Sequence, residues 1–199
     1  MWERIKGCGN IFCKTREEQN RLNEELKEML LLCNDKGYQV NGIIIDTSKL
    51  IFEERVKMNC FYCGKYNLNW KCPPKIPKID YKKMLNEFDN AAFVYLEKKL
   101  LVHNYEAVRN DSSVQLHRAL LECEKWLWKH GNVTALSFIG GSCKLCKNGC
   151  APEQCVNPYM ARSSVEALGI NVVKSVAQYG IHIHFPPEEY MMRVGLLLW

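Results

Sequence analysis

Apolar positions recur along the chain with two periods. From Thr15 onward, Leu22, Leu26, Met29, Leu30 and Cys33 fall at helical spacing, which predicts an amphipathic helix over 15–33. Thr15-Arg16-Glu17-Glu18 offers a capping box to start it, and Gly37 ends it. The run 40–45 predicts a strand, and 50–56 a second, shorter extended segment. A loop follows over 59–78, with three cysteines, three prolines and little periodicity. Asp80 is positioned to cap a helix reaching about Phe88, and 91–96 predicts another strand. The longest helical stripe is Leu116, Leu120, Cys123 and Leu127, predicting a helix over 113–130 that Gly131 stops. Residues 133–139 are strand-like and end in Gly140-Gly141. Ser163 to Glu166 offers a second capping box for a short helix ending near Gly169. A helical stretch over 172–179 precedes Gly180, 181–185 alternates as a strand would, and 194–198 predicts an edge or closing strand. The order of elements predicts an α/β fold, a small mixed sheet flanked by helices and carrying two cysteine-rich loops. An N-terminal helix and strand segment, 1–49, would precede a cysteine-rich metal-binding domain, 50–199.

Composition changes this picture at one point. With 47% apolar residues in 199, the chain can bury a core without disulfide support. Its eleven cysteines therefore need another explanation. The start, MWERIKGCGN, lacks the apolar core and cleavage signature of a secretory signal, and no run is long enough for a membrane span. A reducing cytoplasmic setting is expected, in an anaerobe if the metal is iron. The net charge of +5 raises nucleic acid as a partner. Yet each thiolate-ligated [4Fe–4S]2+ cluster brings a charge of 2−, so two would bring the protein close to neutral. The basic residues are also interspersed with acids, so nucleic acid is not expected to be a partner.

The strongest chemical signal is Cys143-Lys-Leu-Cys146-Lys-Asn-Gly-Cys150-Ala-Pro-Glu-Gln-Cys155, four thiols spaced C-x2-C-x3-C-x4-C. A four-iron cluster needs soft ligands converging on a small volume, and one compact loop supplies them. The preceding Gly140, Gly141 and Ser142 would let backbone come close to such a cofactor and turn N–H groups toward sulfur. A structural zinc with four thiolates is the rival, although zinc knuckles usually pair two C-x2-C hairpins and only one is present here. The second constellation is Cys60-Phe-Tyr-Cys63 with Cys72-Pro73-Pro74, three thiols with the fourth ligand open. Its bland reading is a rigid proline-bounded loop with packed cysteines.

The other candidates are weaker. Cys33 and Cys123 lie on helical stripes and are expected in the core. Cys8 and Cys13 near the start are candidates for the missing ligand, but are more simply surface residues. His182 and His184 would share a strand face and most simply hydrogen-bond there. No nucleotide-binding glycine loop, zinc-protease helix or serine-nucleophile elbow is present, so nothing favours a hydrolase or nucleotide enzyme.

Two segments together carry a resemblance. Gly140-Gly141-Ser142-Cys143-Lys-Leu-Cys146, continuing through Cys155-Val-Asn-Pro158 and Ala161-Arg162 to Val172, is one. Cys60-x2-Cys63 with Trp70-Lys-Cys72-Pro73-Pro74 is the other. Over about 50–199 the chain resembles the uncharacterised cysteine-rich, predicted metal-binding proteins, iron–sulfur in type, of methanogens and anaerobic bacteria. That resemblance implies metal at Cys60, Cys63, Cys72, Cys143, Cys146, Cys150 and Cys155, and assigns no biochemical activity. Family sequences often have proline where Ser163 stands and aspartate at Asn171, neither of them a ligand position. Arg162 and Glu166 are candidates for a salt bridge that orients the second loop, or for plain helix-surface residues. Three function classes stay open. One is an electron carrier or redox subunit with one or two [4Fe–4S] clusters and a redox partner protein. Another is an enzyme that binds a small-molecule substrate at an incompletely ligated iron. The last is a structural zinc protein.

Overall fold

The computed structural model describes residues 14–100 and 104–199. Cys8, Cys13 and His103 lie outside the described residues. Helix α1 (Arg16–Asp35) opens with the expected box: Thr15 Oγ1 accepts from the Glu18 N–H at 3.2 Å and the Glu18 carboxylate accepts from the Thr15 N–H at 2.7 Å. Strand β1 (Asn41–Ile45) follows, then α2 (Glu54–Tyr62), α3 (Tyr81–Leu85) capped by Asp80, and β2 (Ala91–Lys99). Helix α4 (Tyr105–Lys129) is the longest element and leads to β3 (Leu136–Phe138). A 3-10 turn (Glu166–Leu168), α5 (Val172–Ala177) capped by Asn171, and β4 (Tyr190–Leu198) complete the chain.

The fold is α/β, built on one four-stranded sheet ordered β1-β2-β4-β3, with every pairing antiparallel. The register aligns Ile43, Phe93, Leu196 and Phe138 in one row across all four strands. The next row, Ile44, Ala92, Leu197 and Ser137, points to the opposite face. Both faces are covered. Helices α1 and α4 close the second face over Leu26, Met29, Leu116, Leu120 and Leu127. The first face is closed by Leu85 of α3, Val172 and Val176 of α5, and Leu168 and Ile170 of the connecting segment. Burial on both sides explains the unbroken Leu196-Leu197-Leu198-Trp199 run. Gly195 lets α4 sit directly on β4, since a Cβ there would lie 2.5 Å from Leu120 Cδ1. Cys33 and Cys123 are core residues as expected, fully buried with their sulfurs 3.6 Å apart.

Several elements differ from the sequence reading. The extended segment over 50–56 is a single bridge from Phe52 to Ile170 followed by α2; Val56 is the one buried residue in that helix, and its Glu, Arg, Lys and Met residues favour helix over strand. Cys60 therefore sits on a helix and not in a loop. Residues 133–139 yield only three strand residues, because β3 meets just the C-terminal end of β4 before Ile139 turns to bridge Ser164. The Ser163 capping box does not form. The turn is one 3-10 loop in which Ser164 Oγ accepts from the Ala167 N–H, leaving Glu166 free to reach elsewhere. Residues 181–185 are not a strand: alternation places Ile181 inside and His182 and His184 outside, but no sheet edge pairs with them. The C-terminal strand is interior, between β2 and β3. Among the described residues, no helix is long and apolar enough to cross a membrane.

Candidate metal centre

The first cysteine group grows out of the end of α2. Cys60 lies in the last turn, half-buried, and the Cys63 N–H closes that turn on the Cys60 carbonyl at 3.1 Å. Cys63 itself is exposed. The chain then coils through short turns, the Asn67 N–H reaching the Pro73 carbonyl at 2.9 Å and the Cys72 N–H the Asn69 carbonyl at 3.1 Å. Cys72 is thereby buried at the centre of the loop.

The second group leaves β3 across β4. Gly140 passes so close that a Cβ would meet the Val194 carbonyl oxygen at 2.5 Å, and Gly141 takes a φ of +77° while donating its N–H to Glu166 Oε2 at 3.3 Å. Ser142 is half-buried at the joint between the two loops. Cys143, Cys146, Cys150 and Cys155 follow, all half-buried. They line one cleft of about 880 Å³. Asn157 aims its side-chain amide at Cys146 Sγ, 3.2 Å away, the kind of donor that steadies a thiolate.

Two side chains of the first loop hold it against the second. Asn69, buried, donates to the Cys143 carbonyl at 3.0 Å, and the Trp70 indole N–H donates to the Ala151 carbonyl at 2.8 Å. Lys75 stacks its ammonium 3.9 Å above the Trp70 ring. The exit of the second loop is tied to α4. The His117 ring shares a 2.9 Å hydrogen bond with the Met160 carbonyl. Arg162 forks onto the fully buried Glu124 carboxylate, which also accepts from the Ser137 N–H at 2.7 Å. Of the two readings offered for Arg162 and Glu166, their mutual bridge does not form: Arg162 pairs with Glu124, while Glu166 accepts from the Gly141 N–H. Glu124 and Asn69 were not singled out from the sequence. The one local signal was an acidic residue beside the apolar stripe of α4.

The thiols of the two loops share one electrostatic environment. Burial pushes Cys72 up to about 12, reinforced by Cys63, Cys60, Cys143 and Cys150. Burial also raises Cys60, with Glu166 and Cys63 adding to it. Cys143 is raised by burial first and also by Cys150, Cys155 and Cys146, against a hydrogen bond from the Leu145 backbone that lowers it. Gathered thiolates are unfavourable without a positive partner, which is the condition a metal relieves. The donor set, seven thiols on two joined loops, fits a thiophilic metal or cluster. Among the described residues, no three Cys, His, Asp or Glu side chains converge as they would around a single ion, and none of the described cysteines is in a disulfide.

A family model described as predicted metal-binding protein (DUF2284) matches residues 43–199. No curated protein and no solved structure matches the chain.

Proposed function

The chain belongs to the predicted metal-binding protein family DUF2284, and from that premise we propose that it is an iron–sulfur protein that transfers single electrons. In this reading Cys143, Cys146, Cys150 and Cys155 hold one [4Fe–4S] cluster, and Cys60, Cys63 and Cys72 hold a second. The observation that carries it is the joint between the loops. Asn69 and Trp70 bond the first loop directly to the backbone of the second, and Cys72 lies within electrostatic range of Cys143 and Cys150. Redox centres in adjoining loops are suited to passing electrons between them. Bound there, the clusters would supply one-electron chemistry. The chain's own part is to hold the thiols and to donate from Asn157 to the Cys146 sulfur. The reading implies a reducing compartment and a redox partner protein. Zinc is the competing metal.

A second reading is supported by a different observation. The three-thiol loop supplies no fourth ligand of its own, and its cysteines form one wall of a separate cleft of about 570 Å³. An iron left open there would be a docking point for a small substrate, which would make the protein an enzyme. Anaerobic purification with iron, sulfide and zinc quantified together tests the metal. Brown protein with roughly equal iron and sulfide, and a paramagnetic spectrum on reduction, is expected. Colourless protein holding zinc and no acid-labile sulfide refutes the iron–sulfur reading. A change in the reduced spectrum on adding cyanide or a small thiol separates the open site from the closed carrier.

A further inference from the structure

A four-iron cluster takes one terminal ligand on each iron, and the loop of Cys60, Cys63 and Cys72 supplies three. Such ligands surround a body and not a point, in keeping with thiols that line one cleft without converging on a single ion. The other described cysteines are committed elsewhere: four lie in the second loop, and Cys33 and Cys123 face each other in the core. Among the described residues, that leaves the oxygen and nitrogen donors of the cleft wall, where Glu166 carries the one carboxylate.

Tertiary structure fixes Glu166 beside the first cysteine loop. The Ile139 N–H donates to the Ser163 carbonyl at 2.9 Å and the Val165 N–H to the Ile139 carbonyl at 3.0 Å, which sets the 3-10 turn next to Gly140-Gly141. The Glu53 N–H donates to the Gly169 carbonyl at 2.9 Å and the Asn171 N–H to the Ile51 carbonyl at 2.7 Å, which sets the same turn against the start of α2. Cys60 Sγ consequently lies 3.9 Å from the Glu166 carbonyl oxygen. Burial raises the Cys60 thiol, and the charge of Glu166 is the next cause. The Glu166 side chain is half-buried, and among the described residues no cation lies within ion-pair distance of it. Arg193 is within its electrostatic reach, but that guanidinium is bonded to α4 instead, at Ser112 Oγ and the Arg109 carbonyl, both 3.3 Å away. Glu166 Oε2 accepts from the Gly141 N–H at 3.3 Å, and among the described residues Oε1 accepts no hydrogen bond. A carboxylate oriented by one backbone donor, with its other oxygen free, is arranged as metal-ligating carboxylates are. Carboxylate oxygen also serves as a ligand to iron. The Ser142 hydroxyl lines the same cleft, but it would have to lose a proton to become an anionic ligand, and Glu166 would not.

We propose that Glu166 is the fourth protein ligand of the iron–sulfur cluster held by Cys60, Cys63 and Cys72. The proposal rests on the two-cluster reading above and closes the iron that the second reading leaves open. It makes the three-cysteine site a carrier whose last ligand is oxygen.

The test uses full-length protein purified anaerobically, with iron, sulfide and zinc measured on every sample. Cyanide is titrated into reduced wild type, Glu166→Ala, Glu166→Gln and Ser142→Ala, and the EPR spectrum is followed. An internal carboxylate competes with cyanide for the fourth iron, so wild type and Ser142→Ala should need at least tenfold more cyanide than Glu166→Ala for the same spectral change. Glu166→Gln separates ligation from a structural role, because its amide oxygen keeps the Gly141 hydrogen bond but carries no charge. It should respond to cyanide as Glu166→Ala does, or lose the iron and sulfide of one cluster, with an unchanged melting temperature. Equal cyanide response in wild type and both Glu166 variants, all holding two clusters, overturns the ligand and leaves the two-cluster reading standing. A wild-type response in Glu166→Gln, whatever happens in Glu166→Ala, marks a structural role through Gly141 and also overturns it. Wild type holding one cluster's iron and sulfide, or zinc alone, refutes the two-cluster reading itself and the ligand with it.

Discussion

The Arg162–Glu124 pair anchors the exit of the second cysteine loop, and removing one partner has a calculable effect. Glu124 has no exposed side-chain surface and Arg162 only 12%. In Arg162→Met the carboxylate keeps the Ser137 N–H and hydroxyl but loses its counter-charge. Breaking a buried pair from one side costs about 3–5 kcal/mol. The guanidinium also donates to the Tyr159 and Ala161 carbonyls at 2.9 and 3.1 Å, each bond worth about 1 kcal/mol. A loss of about 5 kcal/mol or more is expected, a large part of the total for a domain of ordinary stability. Replacing both partners, as Glu124→Leu with Arg162→Met, removes the stranded charge, so the double variant should fall short of the summed single losses by about 2 kcal/mol or more. Urea unfolding of the four proteins measures this, and limited proteolysis of 139–165 should show the loop released in Arg162→Met. A loss under about 1 kcal/mol in Arg162→Met, or additive losses in the double variant, would refute the assignment of this pair as the loop's anchor.

Two further outcomes follow from buried groups. Burial holds His117 down to about 4 from its ordinary 6.5, so the unfolded chain takes up that proton first as pH falls. Its contribution to stability is therefore intact above about pH 6.5, declines toward pH 4 by up to about 3 kcal/mol, and levels below. Urea midpoints across that window should show this component vanish in His117→Gln, and an identical pH profile in the variant would rule it out. Cys123→Ala, in contrast to any loop cysteine, should cost about 1–2 kcal/mol of packing and leave the metal content unchanged. Loss of metal in that variant would remove Cys123 from the core assignment.

Local physics alone made part of this molecule readable. The α1 capping box, the Asp80 cap, the stripe of α4 and the stops at Gly37 and Gly131 all depend on residues within one or two turns of each other, so spacing sufficed. The two cysteine groups were legible for the same reason, each being compact in sequence. What depends on distant partners was not. Leu196-Leu197-Leu198 reads equally as an edge or an interior strand, and only pairing with both β2 and β3 placed it inside. Residues 50–56 read as extended, but their pairing is the single bridge from Phe52 to Ile170, after which helix-forming side chains take over. Glu124 chose Arg162, and Glu166 chose the Gly141 N–H, because antiparallel pairing and the packing of α4 set which charges share a buried space. The joining of the two cysteine loops through Asn69 and Trp70 is likewise a product of tertiary structure. Hydrogen bonds between segments some eighty residues apart leave no periodic trace in the chain, whereas caps and stripes do.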